Sequence, residues 1–200
     1  MRTTENHLSA VLRILALAAI MMVAACARNA PSPGALAPVS PQPGANAAPG
    51  LTVTYYPQTY RDVSEVDAAA KRGGGRTGPP ILQLNGKSPG SVYGSGMAEG
   101  VGMRAEGLLR FPSAGAWTLV ALSNDGVSVA LSERVVLQDG DVHADRYSAP
   151  ATVEVPAAGW YKLAVSYFQR RGTWALQLYW KPPGGKDLAL IPAEAYAHTN

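Results

Sequence analysis

The chain has 200 residues, 47% of them hydrophobic and 16% charged, and carries a net charge of +3. That length suits one domain of ordinary size with short appendages. The basic residues are scattered, with Lys71-Arg72 and Arg170-Arg171 the only adjacent pairs, which argues against nucleic acid or any other polyanion as partner.

Met1 to Arg13 contains Arg2 and Arg13, and Ile14 to Ala25 is an unbroken apolar run of twelve. Such a run is too short to cross a hydrocarbon core of about 30 Å as a helix and suits the apolar centre of a signal peptide. It ends at Val23-Ala24-Ala25-Cys26, and Cys26 is the one cysteine of the chain. Small residues leading into a cysteine at this point resemble the bacterial lipobox, in which the cysteine becomes the lipidated first residue. The alternative is an ordinary cleavage site that leaves Cys26 a free thiol, and unpaired cysteines are unusual in exported proteins. Removing residues 1–25 takes away two basic residues and one acidic one, leaving a net charge of +2. Ala27 follows the cysteine, so the aspartate that typically holds such lipoproteins in the inner membrane is absent. The expected address is the cell membrane through a lipid anchor, and the outer membrane in a Gram-negative organism.

Residues 26–50 form the next unit. Ala27 to Gly50 holds six prolines and almost no large apolar side chains, the composition of a semi-extended tether. At about 3.1 Å per residue such a tether reaches several tens of ångströms. The folded domain is expected over residues 51–200.

Leu51, Val53 and Tyr55 alternate with Thr52, Thr54 and Tyr56, which predicts a first strand. Ser64 to Arg72 has a serine cap, early acids, an alanine centre and late bases, and so predicts two turns of helix closed by Gly73-Gly74-Gly75. Ile81 to Leu84 reads as a short strand after Pro79-Pro80. Asn85 to Gly100 reads as glycine-rich loop; Gly94-Ser95-Gly96 opens no helix and is only a weak nucleotide motif. From Val101 to Phe111 one face is apolar and the other carries Arg104, Glu106 and Arg110. Pro112-Ser113-Ala114-Gly115 then turns the chain into Trp117–Leu131. There, period-two alternation stands on both sides of Ser123-Asn124-Asp125-Gly126, the pattern of a β-hairpin. Short strands follow at Arg134–Leu137 and Ala151–Val155. Pro156-Ala157-Ala158-Gly159 is a second turn like the one at Pro112. Two more alternating strands carry Tyr161 to Tyr167 and Trp174 to Trp180, and Pro182-Pro183-Gly184-Gly185 stops the ladder. The fold class is therefore all-β, an antiparallel sandwich or barrel with one short helix.

Several phrases in this order resemble the PA14 domain, a β-sandwich found in bacterial toxins, glycosidases and adhesins. They are Gly50-Leu51 with Tyr55-Tyr56, then Glu106-Gly107-Leu108-Leu109-Arg110-Phe111-Pro112, and Ser123-Asn124-Asp125-Gly126. Ala158-Gly159-Trp160-Tyr161, Val165-Ser166-Tyr167-Phe168, Lys181-Pro182-Pro183-Gly184 and Ile191-Pro192 complete the set. The likeness spans Gly50 to Tyr196. In adhesin-type members the corner carries adjacent aspartates joined by a cis peptide; they bind calcium, whose coordination sugar hydroxyls complete. The resemblance places that site at Asn124-Asp125, with one carboxylate replaced by an amide, and places Gln169 where the subgroup has a second-loop asparagine. Replacing a carboxylate weakens calcium binding. The family often has an Asp-Gly turn after the next strand, where this chain has Ser132-Glu133.

Asn124 and Asp125 are thus the candidate metal and glycan ligands, against the alternative that both serve the turn, as Asn and Asp commonly do. Asp139 to Asp145 is the densest run of acidic and histidine ligands, but lacks the ending of an EF-hand and has one histidine only. Strand parity puts Trp174 and Trp180 with the core leucines and leaves Trp160 and Tyr179 facing outward as candidates for a sugar platform. No enzyme is expected: the chain after residue 25 has only His143 and His198, the latter near an end expected to fray, and no nucleophile or metal motif. Glu106 and Glu154 form a glycosidase dyad only if the fold brings them together. The leading reading is a lipid-anchored module that binds glycan or another envelope component. The alternative is an assembly module that binds a protein without calcium. A cis Asn124-Asp125 peptide with an ion belongs to the first reading, and a trans corner bonded to local backbone belongs to the second.

Overall fold

A computed structural model describes residues 36–44 and 47–199. The signal segment, Cys26 and residues 27–35 lie outside the described residues. The strands in chain order are β1 (Ala48–Pro49), β2 (Leu51–Pro57), β3 (Arg76–Ile81), β4 (Asn85–Lys87), β5 (Val101–Phe111), β6 (Gly115–Ser123) and β7 (Val127–Leu131). They continue with β8 (Arg134–Asp139), β9 (Arg146–Tyr147), β10 (Ala151–Val155), β11 (Gly159–Gln169), β12 (Ala175–Lys181), β13 (Ala189–Leu190) and β14 (Tyr196–His198). One helix, α1 (Val63–Arg72), lies between β2 and β3.

The strands form two antiparallel sheets, so the all-β sandwich with one helix is the observed fold. Sheet I has eight strands: β1-β14-β5-β11-β7-β8, with β2 on β5 and β3 on β2. Sheet II has six: β10-β6-β12-β13, with β4 on β12 and β9 on β6. Between them the inward residues interdigitate. Phe111 is the centre of an aromatic cluster, with ring centroids 5.2 Å from Trp117, 5.5 Å from Tyr161 and 5.9 Å from Trp180. Trp174 and Trp180 are buried, as strand parity predicts.

The most consequential departure is at Trp117–Leu131. β6 and β7 do not pair with each other: β6 lies in sheet II beside β12 and β10, and β7 in sheet I beside β11 and β8. Alternation cannot separate the two cases, because each strand buries one face whether its neighbour lies in the same sheet or across the sandwich. The hairpin of this region is β7–β8, closed by Ser132 and Glu133, both left-handed at φ 48° and 68°. The two Pro-x-x-Gly turns are crossings as well: Pro112–Gly115 leads from β5 in sheet I to β6 in sheet II, and Pro156–Gly159 returns from β10 to β11. Their glycines sit at φ 123° and 149°, positions a side chain resists.

Three smaller corrections have local causes that composition does not show. The helix cap is Asp62, not Ser64: its carboxylate accepts the Ser64 N–H at 2.8 Å. The strand expected at Ile81–Leu84 ends at Ile81, because its proline pair sits inside edge strand β3, where no ladder donor is needed. His198 does not fray; it is buried in β14, with Nδ1 3.0 Å from the Gly50 carbonyl oxygen.

The tether expected over residues 26–50 is also shorter. Leu36 is 1% exposed in the core, the Val39 N–H donates to the Trp160 carbonyl at 2.8 Å, and β1 pairs with β14. Proline-rich backbone is already extended, and here it is fixed by Leu36 together with bonds from Ser132 to Ala37 O and between Gln42 and the Trp160 main chain. Among the described residues no helix is long and apolar enough to cross a membrane.

Candidate binding site

The Ser123–Gly126 corner is where the sandwich crosses from sheet II to sheet I, and it binds outward rather than closing on itself. The Asn124 N–H donates to Ala175 O at 2.9 Å, the Asp125 N–H to His143 O at 2.9 Å, and the Phe168 N–H to Gly126 O at 3.1 Å. Asp125 sits at φ 61°, a left-handed position that aspartate tolerates. Its carboxylate is 2% exposed as a residue; Oδ2 accepts the Arg170 N–H at 2.7 Å and Oδ1 the His143 N–H at 3.3 Å. Burial pushes its carboxyl above the ordinary aspartate value, against the pull of those two main-chain donors. Gly126 is fixed by space: a Cβ there would stand 2.2 Å from Gly140 O and 2.4 Å from a Phe168 ring carbon. Gly126→Ala is therefore expected to lose about 1–3 kcal/mol, the range for an overpacked interior, in urea unfolding.

The corner does bring the sequence-predicted residues close, but as a brace. The Asn124-Asp125 peptide is trans, the cis bonds among the described residues being Ser40-Pro41 and Ser88-Pro89. Asn124 donates through Nδ2 to Asp145 Oδ1 at 2.7 Å. Gln169 is fully buried: its oxygen accepts from Tyr167 Oη at 2.8 Å, and its amide donates to Arg171 O and Thr173 O. Both Asp125 oxygens thus accept main-chain N–H groups, the Asn124 amide nitrogen is spent on Asp145, and the Gln169 amide is spent on Tyr167, Arg171 and Thr173.

The acidic run disperses in the same way. Asp139 accepts from Arg146 Nε at 2.9 Å, which holds its carboxyl below the ordinary value, and lies 3.4 Å from His143 Nε2. Among the described residues no three His, Cys, Asp or Glu side chains gather to hold a metal ion.

The two aromatic platform candidates are not brought together. Trp160 is on the outer face of sheet I and Tyr179 on that of sheet II, because β11 and β12 lie in different sheets. Glu106 and Glu154 are divided in the same way, so they make no dyad. On sheet I a concavity of about 680 Å³ runs beside α1. Five of its charged residues pair with one another: Arg104 bonds Asp67 at 2.8 Å and Glu106 at 3.2 Å, and Lys162 bonds Glu133 at 2.9 Å. On sheet II, Tyr179 has a partner that sequence reasoning missed. Tyr147 packs edge-on against it at 5.7 Å, and is 59% exposed. Tyr147 sits 32 positions away in an acidic loop, and only the two-residue pairing of β9 with β6 carries it there.

A sequence profile described as the PA14 domain matches residues 94–192. Among solved structures, the chain is similar to the PA14 domain of the MpAFP antifreeze protein, with a TM-score of 0.61 and 15% identity, covering 82% of this chain and 97% of that one. It is similar to the PA14 sugar-binding domain of an RTX adhesin, with a TM-score of 0.64 and 13% identity over 76% and 99% of the two chains. It is also similar to the epithelial adhesin 6 A domain of Candida glabrata, solved with Galβ1-3GlcNAc, with a TM-score of 0.64 and 12% identity over 84% and 94%. At these identities the likeness is one of fold. No curated protein sequence matches the chain.

Proposed function

We propose, from the match of residues 94–192 to the PA14 profile, that this chain is a lipid-anchored, calcium-independent binding module of the bacterial envelope. Cys26 is its lipidation site, and glycan or another envelope component is its ligand. The likeness to sugar-binding adhesin domains supports a binding role. The observation that carries calcium independence is the Asp125 carboxylate, both of whose oxygens accept main-chain N–H groups of neighbouring loops. The corner holds loops in place, and recognition falls to the outer faces and loops it positions.

The trans corner bonded to local backbone is the feature that belongs to a second reading, in which the partner is an envelope protein. One experiment separates these. The full chain is incubated with cell-envelope material, untreated, protease-treated or periodate-oxidised, in calcium or in chelator. Retention that is equal in calcium and chelator, survives protease and is lost on periodate oxidation is the expected result. Retention that requires calcium overturns the proposal, and loss on protease treatment assigns the protein partner.

A further inference from the structure

The outer face of sheet II carries side chains in register that none of the roles above uses. Across its strands Tyr147, Leu122, Gln177 and Asn85 stand side by side in one row. Tyr179 and Leu190 stand in the next. The Tyr179 hydroxyl donates to Gln177 Oε1 at 3.0 Å, and Gln177 Nε2 donates to Asn85 Oδ1 at 2.5 Å. The exposed Tyr147 ring meets Tyr179 at 69° between planes. Each side chain of this relay thus has its orientation fixed by its neighbour before any ligand arrives. Neither row contains a charge.

We infer that this face is a binding platform for a neutral polysaccharide, a site separate from the Ser123–Gly126 corner. The chemistry is specific in three respects. Two tyrosine rings offer apolar surface to the C–H faces of sugar rings, with the Tyr179 hydroxyl held by Gln177. The primary amides of Asn85 and Gln177 keep N–H groups and lone pairs beyond those used in the relay, which suit the paired donors and acceptors of hydroxyls. The two rows themselves present only uncharged side chains, with Lys87 and Lys181 in the rows to either side, and so match an uncharged partner along their length. A flat, register-aligned strip along a sheet suits an extended chain rather than a single buried ring. The inference rests on the proposed reading that the domain binds envelope material and names the ligand class and the surface.

The test is affinity electrophoresis of the full chain through gels containing dextran, mannan or hydroxyethylcellulose, with chelator throughout. Retardation by at least one of the three is expected. Tyr147→Ala and Gln177→Ala should each weaken it about tenfold, a loss of one or two good contacts. Tyr147→Phe should retain most of it, and Arg72→Ala, at an exposed position on α1, should leave it unchanged. Tyr147 is exposed, so its substitution leaves the core intact, and a circular dichroism spectrum matching wild type verifies this. Retardation that survives both Tyr147→Ala and Gln177→Ala overturns the inference, as does no retardation by any of the three polymers. If the chain still binds envelope material in that last case, the platform fails and the binding role stands; if it binds neither, both fail.

Discussion

Replacing Asp125 with alanine is expected to lower the unfolding free energy by about 3–7 kcal/mol, although the residue lies in a loop corner. The substitution strips the acceptor from two N–H groups, those of His143 and Arg170, at a site that is 2% exposed. Each donor left unsatisfied costs roughly 1–3 kcal/mol. Alanine at φ 61° adds about 1 kcal/mol of backbone strain. Urea unfolding reads the sum, and a loss under about 1 kcal/mol would show that the two loops hold themselves.

Acidity separates this carboxylate from its neighbour Asp139, because their shifts have opposite signs. The Asp125 pKa is raised in the fold, so its contribution is fully present below the ordinary aspartate value of 3.8 and is lost as pH rises through the folded value. The Asp139 pKa is lowered, first by its bond from Arg146, so its contribution is present above 3.8 and is lost as pH falls through the folded value. The stability difference between wild type and Asp125→Asn should therefore grow on acidification. That between wild type and Asp139→Asn should fade. Parallel pH series of urea midpoints check both directions.

Phe111→Ala should be of comparable size, about 3–5 kcal/mol, the range for deleting a buried aromatic ring. Phe111 is wholly buried and touches Trp117, Tyr161 and Trp180, rings contributed by strands of both sheets. The stiff surrounding strands leave little room for collapse, which keeps the cost near the upper end. Chemical denaturation measures it, with far-ultraviolet circular dichroism confirming that the sheets still form. A loss below about 2 kcal/mol would mean that the indoles close over the gap.

The strands were legible because each buries one face, and a period of two survives whatever the neighbours are. Val101–Phe111 is the clearest case, with Val101, Met103, Ala105, Leu109 and Phe111 all at 0% exposure. What alternation does not encode is which strand lies beside which. The Trp117–Leu131 stretch therefore carried a correct strand pattern and an incorrect hairpin. The corner was legible as a place of importance, since Asn124 and Asp125 stand where a turn and a ligand site are both plausible. Its use was not, because the decisive partners are main-chain groups of His143 and Arg170, and a backbone N–H has no sequence signature. Leu36 and Tyr147 were missed for a related reason. One anchors a proline-rich stretch and the other a two-residue strand, and neither segment is long enough to show a period.

The crossings also set how the domain has to be assembled. No central strand of the sandwich finds all its partners nearby: β5 waits for β11 and β14, β6 for β12, and β7 for β11. Closing these ladders requires loops of about 30 to 90 residues, so the first half of the chain, emerging alone, has no stable sheet to form. Folding should accordingly be slow, in the millisecond-to-second range of sandwiches dominated by distant pairings. It should also be all-or-none with respect to length. A chain cut before Gly159 leaves β5 and β7 with no strand to join them, and one cut before Ala175 leaves β6 without its long neighbour. The last quarter of the sequence therefore supplies the strands, β11 and β12, that join β5 to β7 and complete β6.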